Sequence, residues 1–274
     1  MILPALCSVT FRSLSPVQIV ALAAEADLRG IEWGGDLHVP PGNIEMAEAV
    51  RASTLNAGLA VAGYGSYYRV GDNIEASGAP GAPFEDVLTS AQALGAPFIR
   101  VWAGRQSSAQ ASGAYFGNVA VDLTRIAELA AEAQIAIVCE FHRNTVADTL
   151  KSSMDLLAWA GPPNLYLHWQ PQTGSPVETG INELRAFAPV LSHIHIFQWQ
   201  LLPKQPWSVS RHPLAEGATD WRTYLHEANV ISQDQQRDIF AMLEFLPEES
   251  KDCFMTEAAT LLGWIGEQGM GVRE

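Results

Sequence analysis

Residues 135–141 read IAIVCEF: five apolar side chains in a row, then Glu140, then Phe141. A short, β-branched, continuously apolar run reads as a strand covered on both faces, the kind found in parallel sheets. Just before it, Leu123, Ile126 and Ala130 recur at helical spacing. Helix followed by buried strand is one half of a repeating unit, and the unit recurs in both directions. Upstream lie 98–103 (FIRVWA), 59–64 (LAVAGY), 30–34 (GIEWG) and 5–10 (ALCSVT); downstream lie 164–169 (NLYLHW), 192–197 (SHIHIF) and 239–245 (IFAMLEF). Strands joined by helical crossovers run parallel, and eight of them can close on themselves. The reading is a single (β/α)₈ TIM barrel over residues 1–274, a length close to the roughly 250 residues typical of that fold. A doubly wound open sheet is the alternative, opposed by the absence of GxGxxG after the first strand and of GxxxxGK[ST] anywhere.

Local signals agree with the alternation. Ser15 can cap, Pro16 suits a first helical turn, Val17, Val20, Ala24 and Leu28 share a face, and Gly30 is the expected stop. Phe84, Val87, Ala91 and Leu94 repeat the pattern ahead of Gly95. The stretches 65–83 and 104–118 are long, polar and rich in Gly, Ser and Ala, and 198–216 carries three prolines and two tryptophans. Extended loops after strands are where a barrel builds its pocket.

Hydrophobic residues form 48% of the chain and charged ones 17%, ample for a core and unlike a disordered chain. A formal charge of −14 repels a phosphate backbone, so nucleic acid is not expected as a partner. No apolar run is long enough to span a bilayer and the N-terminus lacks a charged leader, so a cytoplasmic protein without a membrane partner is expected. Cys7, Cys139 and Cys253 show no metal-ligand spacing and read as small core residues.

The informative residues are polar ones that end apolar strands. Glu140 finishes the fifth strand and Glu244 the eighth, where a carboxylate is costly unless it meets a cation or water. His193 and His195 share one face of the seventh strand by the period of two, and His168 and Gln170 share a face of the sixth. Carboxylate, imidazole and amide converging from neighbouring strands suit Mn²⁺, Mg²⁺, Co²⁺ or Zn²⁺, and the lack of thiolate spacing argues against a structural zinc site. A solvated loop-start Glu and a core His satisfied by a carbonyl are the bland alternatives for each residue taken alone.

The phrases GIEWGGDLHVPPG (30–42), VCEFHRNTVADT (138–149), HIHIF (193–197), HPLAEGATDW (212–221) and MLEF (242–245) resemble the xylose-isomerase-like barrels. That superfamily holds sugar isomerases, ketose 3-epimerases, hydroxypyruvate isomerases, inosose and dehydroshikimate dehydratases, and apurinic endonucleases. The resemblance implies one divalent ion, manganese favoured, held by Glu140, Gln170, His195 and Glu244. Gln170 stands where the sugar-handling members usually carry Asp, which removes a negative charge; His168 is the alternative fourth ligand. His142, two residues after Glu140, is implied to meet substrate hydroxyls. Arg100 and Trp102 share a strand face, and Arg100 or Arg105 is expected to hold a carboxylate or phosphate, a surface ion pair being the alternative for Arg105. Trp33, Trp102, Trp169 and Trp199 are walls for a sugar ring or core fillers. His38 and His212 lie in loops, as surface residues or supports to the site.

The implied chemistry is proton transfer next to a carbonyl through an enediolate, with Glu140 and Glu244 as acid and base. The leading expectation is a sugar or polyol isomerase or epimerase. A dehydratase of the same superfamily acting on an inosose or keto acid, and a non-catalytic sugar-binding barrel, are the alternatives. The expected partners are a small sugar or polyol and, at most, further copies of the chain.

Overall fold

The computed structural model describes residues 1–73, 80–202 and 205–267. In chain order the strands are β1 (Ile2–Cys7), β2 (Gly30–Gly34), β3 (Ala60–Arg69), β4 (Phe98–Trp102), β5 (Ala136–Glu140), β6 (Leu165–Trp169), β7 (Leu191–Ile196), β8 (Trp199–Leu202), β9 (Gln205–Arg211) and β10 (Ile239–Leu243). The helices are α1 (Pro16–Glu25), α2 (Ile44–Asn56), α3 (Phe84–Leu94), α4 (Gly113–Glu132), α5 (Leu150–Ala160), α6 (Val177–Phe187), α7 (Ala218–Asp234) and α8 (Lys251–Glu267). Eight strands close in the order β1-β10-β7-β6-β5-β4-β3-β2, every pair parallel. This is the (β/α)₈ barrel.

Alternation along each strand sorts side chains into two cores. Ile31, Ile99, Ile137, Leu167 and Ile194 are fully buried in the layer that joins barrel to helices. At about 1.5–3 kcal/mol per buried large side chain, this layer rather than helix propensity holds the outer ring in place. Inside the barrel, Ala5, Ala62, Phe98, Val138 and Met242 form a separate plug. Its tightness is set partly by Gly63, where a methyl group would run into the Phe98 ring. The polar residues of the site sit on top of this plug.

Four local expectations are corrected. The first strand occupies Ile2–Cys7 rather than 5–10, and Ser8–Thr10 turns into a 3₁₀ helix. There the Ser8 hydroxyl accepts from the Gly34 N–H at 2.8 Å, so the buried polar group is satisfied by leaving the strand. The first helix ends at Glu25 with Asp27 at φ 55°, and Gly30 opens β2 instead of stopping α1; Val17 points to solvent. The expected loop 65–83 begins with five more residues of β3, while its residues 74–79 lie outside the described ones. Within 198–216, β8 and β9 pair antiparallel as a hairpin beside the barrel. By contrast Phe84, Val87, Ala91 and Leu94 are all buried, and Gly95 takes the left-handed conformation (φ 70°) that ends α3.

Candidate active site at the barrel mouth

Above the apolar plug, the inward positions turn polar: Cys7 on β1, Glu32 on β2, Arg100 on β4, Glu140 on β5, His168 on β6 and His193 and His195 on β7. Glu244 follows β10 by one residue. All are buried. Register sets them side by side: Cys7 faces Glu32 across β1–β2, Glu140 faces His168 across β5–β6, and His168 faces His193 across β6–β7.

Glu32 and Arg100 organise this layer. Arg100 donates to the Glu32 carboxylate from Nε at 3.0 and 3.2 Å and from Nη2 at 2.7 Å, while its Nη1 pairs with Glu140. The pair has room because β3 carries Gly65 there; a methyl group would lie 2.6 Å from Arg100 Nη2 and 2.8 Å from Glu32 Oε1. Burial pushes the Glu32 carboxyl up, but the Arg100 guanidinium and the two histidines outweigh it and hold it well below its ordinary range. Burial likewise opposes the Arg100 charge, and Glu32 and Glu140 more than restore it.

The histidines divide by their neighbours. Burial pulls His193 down to about 4, only partly offset by Glu32. Burial and the adjacent His195 and His193 hold His168 well below its ordinary value. His195 also feels burial, yet it lies 3.3 Å from Glu244 and 3.6 Å from Glu32, whose charges lift it to about 9. Cys7 is kept a thiol by burial and by Glu32 and Glu244, so it is more than a core filler but not a thiolate.

This layer floors a cavity of about 320 Å³ walled by Arg12, Tyr67, Trp102, His142, Gln170, Trp199 and Phe245, with Arg100, Glu140 and Glu244 reaching it from below. The Trp102 and His142 rings stack 4.8 Å apart. Two of its residues, Tyr67 (φ 60°) and Phe245 (φ 53°), occupy the left-handed region that bulky side chains avoid, so backbone strain is concentrated at the mouth. His142 Nδ1 sits 2.6 Å from the Arg143 carbonyl. A carbonyl can only accept, so Nδ1 carries the hydrogen and Nε2 offers a lone pair.

Of the residues singled out from sequence, Glu140, Gln170, Glu244, His142, Arg100, Trp102 and Trp199 therefore border one cavity. His195 and His168 lie beneath it, fully buried. Trp33 and Trp169 are in the outer layer, not on the cavity wall: Trp169 Nε1 donates to Glu183 at 3.0 Å and its ring meets Tyr224, and Trp33 packs edge-on against His38. The reason is parity, since a strand that turns Glu32 or His168 inward turns the next residue outward. His38 is buried against the Ser8 hydroxyl at 3.0 Å rather than on the surface, whereas His212 sits outside the cavity wall against Glu216 at 2.8 Å. Glu32 was missed by sequence reasoning, although an acid inside an apolar strand is the signal that had found Glu140 and Glu244.

The donor set fits a divalent cation. Three buried carboxylates (Glu32, Glu140, Glu244) outnumber the one guanidinium, which pairs with Glu32 and Glu140, while Glu244 meets the His195 imidazole at 3.3 Å. The Gln170 amide nitrogen donates to the Phe141 carbonyl at 3.2 Å, which leaves its oxygen as the available donor. Among the described residues, Cys7, His195 and Glu244, and separately His168, His193 and His195, bring ligand atoms within 4.8 Å of one another. No described helix is long and apolar enough to cross a membrane.

A closed parallel barrel with a buried Glu/His/Arg floor under a small mouth cavity defines a class of parallel barrels with a cation-suited site. Residues 20–232 match the family described as the xylose isomerase-like TIM barrel, and the chain belongs to that family. A 3-dehydroshikimate dehydratase from Bacillus anthracis is 25% identical over 293 residues, covering 93% of this chain and 95% of that protein. Among solved structures, the probable 3-DHS dehydratase AsbF of Bacillus anthracis superposes with a TM-score of 0.72 at 22% identity, over 96% of this chain and 99% of the other. A D-allulose 3-epimerase from Methylomonas sp. in complex with D-allulose reaches 0.66 at 13% identity, over 96% of each chain.

Proposed function

We propose that this barrel is a divalent-metal lyase that removes water from a cyclic polyhydroxy ketone. The observation that carries the reading is His142: its tautomer is set by the Arg143 carbonyl, its ring is stacked on Trp102, and among the described residues that line the cavity it is the one imidazole. The two carboxylates expected to share acid and base duty are differently bound. Glu140 is tied to Arg100, where a proton would meet the guanidinium's own hydrogens, and Glu244 is tied to His195. That asymmetry suits a one-way elimination better than a two-carboxylate epimerisation, and the relative named a dehydratase supports it.

Glu140, Gln170, His195 and Glu244 would hold the ion, with manganese the first choice for a site of oxygen and imidazole donors. Bound there, it would polarise the substrate carbonyl and take up the charge that develops on its oxygen. His142 Nε2 removes the proton from the carbon next to the carbonyl. The electron pair of that C–H bond becomes the new C=C bond as the C–O bond of the neighbouring hydroxyl breaks. His142 returns its proton to the departing oxygen, and water leaves with the histidine neutral again. Trp102 and Trp199 hold the ring and keep bulk water from the carbanionic carbon.

The test is to supply the metal-loaded protein with 3-dehydroshikimate and follow the aromatic product by ultraviolet absorbance. His142→Asn should lower turnover at least about 100-fold while leaving metal content unchanged. Epimerised ketohexose with no aromatic product would overturn the reading.

A further inference from the structure

Beside the mouth lies a second cavity of about 480 Å³, with Ser66, Tyr67, Arg69 and Arg105 in its wall. Tyr67 borders both cavities. Arg69, the last residue of β3, lays its guanidinium 3.9 Å from the centre of the Trp102 ring, so one indole joins the two spaces. Its Nη1 donates to the Gly104 carbonyl at 3.2 Å. The Arg105 Nε is buried and meets no acceptor.

Neither guanidinium has a carboxylate partner among the described residues, and the nearby acids are engaged elsewhere. Asp36 pairs with Arg12, Asp72 accepts from the Tyr115 hydroxyl at 3.1 Å, and Glu140 pairs with Arg100. Burial and the like charge of Arg105 both pull Arg69 below its ordinary value, more than Glu140 and Asp72 restore. Two half-buried cations that repel each other in a chain of net charge −14 lack their complement. Stacking on Trp102 fixes the plane of one guanidinium, which is the geometry that grips a planar or tetrahedral oxyanion through paired N–H bonds.

We propose that Arg69 and Arg105 form an oxyanion subsite that binds the carboxylate or phosphate of a substrate whose hydroxylated ring lies over Trp102 and His142. The inference deepens the lyase reading and rests on it for the position of the ring. It adds which residues meet the substrate's anionic group, and a neutral sugar leaves the larger of the two cavities without a partner.

Two probe pairs test this by titration calorimetry of the metal-loaded protein: shikimate against its methyl ester, and fructose 6-phosphate against fructose. At least one anion should bind tenfold or more tightly than its neutral partner. A preference within the first pair identifies the group as carboxylate, and one within the second as phosphate. In Arg69→Met and in Arg105→Met the advantage should fall below threefold. Arg69→Lys, which keeps the charge and loses the fork, should retain part of it, and far-ultraviolet circular dichroism checks that each variant is folded. No preference in the wild type, or one that survives both Met substitutions, overturns the proposal. Binding is read without turnover, so the two ideas separate: anion preference with no elimination sinks the lyase reading alone, and elimination with no anion preference sinks the subsite.

Discussion

Replacing Glu32 by Gln keeps the shape of the side chain and removes the charge around which the buried layer is arranged. Arg100, 3% exposed, would exchange three contacts of 2.7–3.2 Å to a carboxylate for contacts to an amide, half of which is itself a donor. Removing one partner of a buried ion pair costs about 3–5 kcal/mol. Glu140 still neutralises the guanidinium from its other side, which places the loss near the lower end, about 3 kcal/mol. Unfolding entropy of roughly 2.1 cal/mol/K per residue gives about 0.6 kcal/mol/K for a chain of 274 residues, so the thermal midpoint should fall by about 5 °C. Thermal unfolding followed by circular dichroism in the presence of chelator measures this without contribution from metal. A midpoint within a degree of the wild type would refute the argument that Glu32 is the electrostatic centre of the barrel.

Gln170→Asp adds an anionic donor at the cavity wall, and Mn²⁺ should bind at least about tenfold more tightly, or ~1.4 kcal/mol, in calorimetric titration. An unchanged affinity there, together with a large loss in His168→Ala, would move the fourth ligand to His168. Gly65→Ala puts a methyl group 2.6 Å from Arg100 Nη2 and should lower stability by about 1–3 kcal/mol, read as the urea midpoint; a wild-type midpoint would mean the pair can shift at no cost. The metal-free protein should be most stable near pH 6.5. His193 is depressed to about 4, so below pH 6.5 the unfolded chain takes up a proton that the folded one refuses, costing about 3 kcal/mol by pH 4. His195 is raised to about 9, so its contribution is complete below pH 6.5 and is lost, by about 3 kcal/mol, as pH climbs through 9. Denaturation midpoints that stay level from pH 4.5 to 8.5 in chelator would contradict both assignments.

The barrel was legible because its strands are nearly continuous apolar runs, a signal that survives ignorance of tertiary contacts. Boundaries were less so where side chains are satisfied by distant partners: Ser8 leaves β1 for the Gly34 N–H, a contact 26 residues away. The hairpin of β8 and β9 is hidden by its prolines and by the half-exposed residues of β8, which show no buried face. In the site, acids that end apolar strands were visible, but Glu32, flanked by Ile31 and Trp33, was passed over for the tryptophan beside it. The same parity that puts Gln170 at the cavity sends Trp169 outward, so both tryptophan assignments could have been settled from the period of two alone. Arg69 is invisible for a different reason: its position reads as loop, and only the five further residues of β3 bring it onto Trp102.

Among the described residues the hairpin's two strands pair with each other and with none of the barrel strands, yet β8 delivers Trp199 to the cavity wall. The floor of the cavity and this part of its wall thus rest on separate pieces of the chain. The charged floor is locked into eight interdependent strands, where any change in one residue is felt by the rest, while Trp199 rides on an appended piece whose exchange leaves the barrel's ladder intact.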